Sequence, residues 1–242
     1  MSNPFKALLK ADFIVQWRQR RALFMSLLMP VIFVVSWKSL IPEIGAAGVL
    51  SICIAIGLPA TGLMGYAGTM ARDRERGVFQ RLRSTPISSR TIIMSRLIVQ
   101  LAVIALITLV TCFFAYYVDH ISIGFLELLL ILIASVVGGA AYLAIGQFVV
   151  AFVKSSEGVN AATRLLYFPL SIVGALGTIG LFGTIVKNII TWSPFGTTQT
   201  LLQAAIDPSH MTIVTLWALL GTLAYGIVFA SIGIKWFQWS SN

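Results

Sequence analysis

The sequence predicts an all-α integral membrane protein: six transmembrane helices preceded by an amphipathic helix lying at the membrane interface. Three observations carry this. Of 242 residues, 58% are apolar and only 10% charged, against roughly 25% charged in an average soluble domain, and mean hydropathy is +0.92. The apolar residues gather in six stretches, each near the ~20 residues needed to cross a bilayer core. The positive charges fall in alternate connecting segments. A soluble fold of this length could not hide so much apolar surface, so lipid must be the solvent for much of it.

In chain order, residues 1–22 come first. Phe5, Leu9, Phe13 and Trp17 recur every four residues with Leu8 beside them, while Lys6 and Lys10 take another face. This spacing predicts an interfacial helix with its aromatics in the acyl boundary and its lysines near anionic lipid. The spans follow at residues 23–40, 45–70, 92–117, 125–153, 165–185 and 213–234. The second and fourth are long enough to tilt or break, because glycines and Pro59 interrupt them. Nothing between the spans is long enough to fold separately, so residues 1–242 read as one membrane domain. No small-residue cleavage site follows the first apolar run, so a cleavable signal peptide is not expected.

Orientation follows from charge. The N-terminal segment carries Lys6, Lys10, Arg18, Arg20 and Arg21, and the segment after the fourth span has Lys154 and nearby Arg164. Lys235 closes the last span, and residues 71–96 hold seven of the 17 Lys and Arg residues. The opposite side offers only Lys38 and Lys187, alongside Glu43, Asp119, Glu127 and Asp207. The positive-inside rule therefore predicts both termini in the cytoplasm. It also makes the net charge of +9 a topology signal rather than a nucleic-acid footprint. Cys53 and Cys112 lie within apolar spans and suit packing, with no disulfide framework or metal spacing.

The densest basic segment, residues 72–90, has internal structure. A short helix is expected from Asp73 towards Pro86, with Asp73 or Glu75 favouring the positive end of its dipole. Val78, Phe79 and Leu82 can share one face, flanked by Arg74, Arg81 and Arg83. Pro86 disfavours a helical Thr85, and Ser88 or Ser89 is placed to cap the third span. Such an element could dock into a partner's groove, lie on the membrane, or simply set topology.

These residues resemble a known family. Asp73-Arg74-Glu75-Arg76-Gly77, then Gln80-Arg81-Leu82 and Ser84-Thr85-Pro86-Ile87-Ser88, is similar to E-R-E-K-G-T-x-E-R-L-x-x-T-P-V/I-S. That pattern marks the first cytoplasmic loop of ABC-2 type (type V) ABC transporter permeases. Pro30 in the first span, the six-span layout and Ser193-Pro194-Phe195 before the last span agree with it. The departures are Asp73 for Glu, Val78 for Thr and Gln80 for Glu. The resemblance implies a short re-entrant segment at residues 187–212 and no large external cap. It also implies the membrane subunit of a bacterial exporter in the cytoplasmic membrane, with two copies pairing around a path and two ATPase subunits beneath. Residues 73–83 would then sit in a cleft of the ATPase. The coupling residues implied are Asp73, Glu75, Arg76, Gly77, Val78, Phe79, Arg81 and Leu82. Gly77 would permit close approach or an unusual backbone angle. Glu75 would pair with a basic residue of the partner or of the N-terminal helix.

No G-x-x-x-x-G-K-S/T occurs, so the chain has no P-loop. It is expected to be no enzyme and to bind no cofactor, with ATP and Mg on the partner subunit. His120 and His210 read as loop residues, and there is no H-E-x-x-H. Lys38, Glu127, Arg96 and Arg164 lie near span ends, where snorkelling relieves the ~2.5–3.5 kcal/mol cost of a central charge. The central polar residues Ser51, Thr61, Thr108, Thr111, Ser135 and Gln147 suit helix–helix hydrogen bonds. A path without central charge suits a hydrophobic or amphipathic cargo, such as a drug or antimicrobial peptide. A lipid or lipid-linked glycan is the alternative within the same fold, and an ATP-independent channel, scaffold or sensor is the alternative outside it. Glycines 174, 177, 180 and 183 predict a small-residue face on the fifth span, and Met64, Phe168 and Phe182 are candidate path-lining residues.

Overall fold

In the computed structural model, which describes residues 4–18, 20–83 and 88–237, every regular element among those residues is helical. The chain opens with α1 (Pro4–Arg18) and α2 (Arg20–Ser36), then turns through a 3₁₀ segment (Lys38–Leu40) into α3 (Ile41–Pro59). A π-helical segment (Ala60–Ala67) carries α3 into α4 (Gly68–Glu75), followed by the short α5 (Val78–Arg83). Next come α6 (Ser89–Asp119), α7 (Phe125–Phe152) and α8 (Ser156–Ile179). Two short helices, α9 (Thr184–Thr191) and α10 (Pro194–Ile206), precede α11 (Ile213–Lys235).

Five helical stretches among the described residues are long and apolar enough to cross a membrane: Lys38–Glu75, Thr91–Asp119, Phe125–Phe152, Ser156–Ile179 and Ile213–Lys235. The sequence predicts six. The difference is α2, whose 17 residues reach about 25 Å at 1.5 Å per residue, short of a ~30 Å hydrocarbon core. Trp37 stops it by leaving helical geometry (φ −98°, ψ 9°), so the chain reverses before the expected end at residue 40.

The second span runs past both expected limits; it kinks at Gly45 (φ 76°, ψ 159°) and is interrupted again where Pro59 removes a backbone donor. The widened π turns that follow are held against α7. A Cβ at Gly62 would lie 2.6 Å from the Tyr142 carbonyl carbon, and one at Gly146 would collide with the Gly62 carbonyl oxygen. Helix α7 is the central post, packing against α3, the π segment, α6, α10 and α11. Its Tyr142, Leu143 and Val150 are almost wholly buried. Helix α11, by contrast, buries only Ala218, Thr222 and Gly233, and turns Leu216, Trp217, Ile227 and Val228 outward. In a membrane span that outward face meets lipid or another apolar surface.

The fifth span begins nine residues before the expected 165 and ends before the expected 185. Ser155 caps its start by accepting the Gly158 N–H at 3.1 Å, and Gly180 ends it in the left-handed region (φ 92°). The four glycines are therefore not one face. Gly174 packs on Phe195 and Gly177 on Ile190, whereas Gly180 and Gly183 (φ 85°) shape the turn into α9. Helix α10 starts with Ser193 accepting the Gly196 N–H at 3.2 Å and Pro194 in its first turn. It then buries Phe195, Thr198, Leu201 and Leu202 against α3, α7 and α11.

Candidate functional site

The segment read as a coupling element is built from two helices, not one. Asp73, Arg74 and Glu75 form the last turn of α4, continuous with the second span, and the short helix starts only at Val78. Gly77 makes the break. Its φ of +65° is left-handed, and its N–H bonds back to the Arg74 carbonyl at 3.1 Å. Asp73 and Glu75 thus stand at the end of a helix, where the expected favourable N-terminal dipole is absent.

Their partners explain why acids occur there. Glu75 accepts from the Ser156 N–H at 2.5 Å and the Ser156 hydroxyl at 2.6 Å. It caps the start of α8, whose orphan N–H groups favour a carboxylate. Among the described residues it forms no salt bridge. Arg74 is buried, with 1% of its surface exposed, so it does not rim a docking face. Its guanidinium donates to the carbonyls of Val150 at 2.7 Å and of Val153 and Lys154 at 2.6 Å each. These are the orphan acceptors that end α7, where a cation also opposes the negative end of the helix dipole. Two adjacent residues of opposite charge therefore clasp opposite sides of the α7–α8 turn.

A second network lies beside this clasp. Arg96 of α6 pairs with Asp73 and, at 3.1 Å, with Asp12 of α1. The Ser95 hydroxyl donates to Asp12 at 2.5 Å. Burial raises the Asp12 carboxyl above the ordinary carboxylate value, against the opposing pull of Arg96 and Ser95. The Arg96 guanidinium also sits 5.7 Å over the Phe79 ring, and Phe79 packs edge-on against Phe237 at 5.6 Å. Phe79 is fully buried, so the apolar knob expected to face a partner is in this chain's own core. Val78 is partly buried, and among the described residues from 72 to 81 those facing outward are Arg72, Glu75, Arg76, Gln80 and Arg81. Arg81 donates to the Arg76 carbonyl at 2.9 Å and steadies the α4–α5 bend. The side chains of Leu82 and Arg83, and all of Ser84, Thr85, Pro86 and Ile87, lie outside the described residues.

The remaining expected residues are dispersed. In α1, Phe13 and Trp17 are exposed while Phe5, Leu8 and Leu9 are partly buried. Met64 lines a cleft between the π segment, α1, α6 and α8. Phe168 is exposed on α8, and Phe182 is exposed in the turn beyond it. These three do not meet in one cavity. Gln147 accepts from the Tyr66 hydroxyl at 2.7 Å and Ser51 from the Gln199 amide at 3.1 Å, the interhelical bonds expected of them. Thr61 and Thr111 instead donate to carbonyls of their own helices, Gly57 and Ile107. His210 pairs with Asp207 at 3.1 Å, and the described residues hold no group of three or more His, Cys, Asp or Glu suited to a metal.

Reasoning from sequence missed Asp12, Ser95, Ser155 and Ser156. Asp12 had a signal: it is the sole acid in the basic first 22 residues. The Ser155-Ser156-Glu157 run also reads as a helix start.

Long apolar helices around a central post, with a charged and partly outward-facing helical elbow at one end, define a multi-pass membrane domain. A family model described as "ABC-2 family transporter protein" matches residues 42–235, and the chain belongs to that family. It is accordingly the membrane permease subunit of an ABC transporter and works with an ABC ATPase subunit. A search of curated proteins found no match.

Proposed function

We propose that the chain is the permease of an exporter that moves a hydrophobic or amphipathic molecule, such as a drug or antimicrobial peptide, out of a bacterial cell. In this reading α2 is the first of six spans, both termini are cytoplasmic, and α9 and α10 dip into the membrane from the outside as a re-entrant pair. Two copies surround the path, and two ATPase subunits beneath them bind ATP and Mg. The chain itself binds no cofactor and catalyses nothing. Lipid or lipid-linked glycan flipping would use the same machinery with another cargo.

The observation that carries this reading is the clasp. The outward residues Glu75, Arg76, Gln80 and Arg81 offer the ATPase a polar contact, with Gly77 as the bend between them. Arg74 and Glu75 tie the same elbow to the turn between α7 and α8, and Asp73 ties it to α6 and α1 through Arg96. A push on the elbow therefore reaches α1, α6, α7 and α8 at once. Phe79 and Val78 serve by seating α5 rather than by entering the partner.

The test is reconstitution with the ATPase, screening candidate cargoes for stimulated hydrolysis and transport. Glu75→Ala and Gly77→Asp should each abolish most of the stimulated hydrolysis while the protein still inserts. Wild-type coupling in both would sink the proposal.

A further inference from the structure

We infer that the chain holds an anionic phospholipid in a two-part cleft between the interfacial helix α1 and the spans α4, α6 and α8. The head of this site is a cleft of about 280 Å³ at the clasp end of the bundle. It is lined by the cations Arg72 and Arg164 and by the amides of Gln16, Gln100 and Asn160, with Thr61, Thr69 and Thr163 adding hydroxyls. No acid lines it among the described residues. Neither arginine has an ion pair among the described residues, and the acids Asp12 and Asp73 are taken by Arg96. Arg72 donates to Thr69 at 3.2 Å, which aims the guanidinium along α4. A Cβ at Gly68 would lie 2.9 Å from Asn160 Oδ1 and 3.4 Å from Arg72 Nη1, so the glycine lets the amide and the cation come together.

Two uncompensated guanidiniums among neutral donors, next to hydrocarbon, suit a phosphate-bearing headgroup. The second part supplies the tail. A groove of about 220 Å³ lined by Phe13, Trp17, Ala102 and Leu106 adjoins the first cleft and shares Gln16 and Val103 with it. The Gln100 amide donates to Gln16 at 3.2 Å where polar lining gives way to apolar. The order cation, amide, aromatic and aliphatic side chain matches headgroup, glycerol and acyl chain in turn. Charge complementarity therefore selects an anionic over a zwitterionic lipid, and the groove selects a lipid over a free anion.

Trp17 reports on the site directly. The full chain is placed in phosphatidylcholine nanodiscs with a trace of phosphatidylglycerol brominated on its acyl chains, and tryptophan quenching is followed. Trp17→Phe identifies the component from the groove. Brominated phosphatidylglycerol should quench Trp17 with about tenfold preference over brominated phosphatidylcholine, the ratio that ~1.4 kcal/mol of headgroup contact produces. Arg72→Gln with Arg164→Gln should erase the preference, whereas the paired lysine variants should keep most of it and show that the fold survives. Ala102→Phe should block quenching by either lipid. Equal quenching by the two lipids in the native chain, or an unchanged preference in the paired glutamine variant, overturns the inference. So does relief of quenching by inorganic phosphate as effectively as by the unbrominated lipid, which marks an anion site without tail recognition. Binding requires no ATPase, so wild-type coupling in Glu75→Ala and Gly77→Asp alongside an intact lipid preference would refute the exporter reading alone.

Discussion

The two ends of the helical bundle are held by different physics. At the clasp end, Asp12, Asp73, Arg74, Glu75 and Arg96 join α1, α4, α6 and the α7–α8 turn through charge-assisted bonds. At the other end, α9 and α10 are seated by close approach. Phe195 fills the space that Gly174 leaves open, Ile190 fills that of Gly177, and Gly196 admits the backbone of Ile190 and Thr191. The polar bond between α10 and α3 is neutral, from the Gln199 amide to Ser51, and the charged bonds at this end, His210 with Asp207 and Lys38 to the Val118 carbonyl, lie outside α9 and α10. Charge-assisted contacts are directional, can be exchanged for new partners, and weaken with salt. Interdigitated packing has no such alternative partners and answers to volume. The clasp end is thus built to be rearranged, while the far end is built to keep its shape.

Substitutions at each end test the contrast. The largest effect is expected from Gly196→Ala, whose added Cβ would lie 2.6 Å from the Thr191 Cα and has only backbone to displace. About 3 kcal/mol of stability should be lost, read as an irreversible fall in melting temperature in detergent at any salt concentration. Arg74→Met comes next. It leaves three helix-end carbonyls without their donor, at about 2 kcal/mol once water has partly replaced it. Transport coupling should fall further than stability does, and a variant that melts like the native chain would remove the clasp from the argument. Gly177→Ala should cost only about 1 kcal/mol, because the atom in its way is the far end of the flexible Ile190 side chain. If it equalled Gly196→Ala, the far end would be more rigid than packing alone explains.

Asp12→Asn should have the smallest effect, below about 1 kcal/mol at neutral pH. Its sign depends on pH. The folded state raises the Asp12 carboxyl above its unfolded value, so its stabilising contribution is complete below the unfolded value and is lost as pH rises through the folded one. The native chain should therefore gain on the variant as pH falls from neutral into the carboxylate range. Melting curves for both proteins across that range give the slope, and a native chain that loses ground to the variant on acidification would refute it.

Spans were legible where one physical rule dominated. Residues 125–153 read as a span from composition alone and form Phe125–Phe152, because no proline or left-handed glycine interrupts them. The fifth span was misplaced because its first turns, with Glu157, Asn160 and Arg164, are too polar to register as apolar, although Ser155 and Glu157 supply a helix start. Its end needed the left-handed backbone at Gly180, which a periodic spacing of glycines conceals. The basic segment was located from charge, and its bend at Gly77 matched the expectation of an unusual backbone angle. The roles of Arg74 and Phe79 were not readable, since the carbonyls that Arg74 caps and the Phe237 ring against Phe79 lie more than 70 residues away. An arginine in a basic loop looks like any other until the carbonyls it caps are brought to it.

Those long separations also bear on how the protein is made. Arg74 waits for carbonyls 76, 79 and 80 residues further along the chain, and Glu75 for a serine 81 residues later. As the chain is synthesised from its N-terminus, the elbow emerges and its span inserts well before any of these partners exist. The clasp can close only after α7 has been laid down and the first residues of α8 have followed. A nascent chain stopped short of Ser156 would therefore carry the complete elbow motif with Glu75 unmatched, and the elbow becomes fixed only late in assembly.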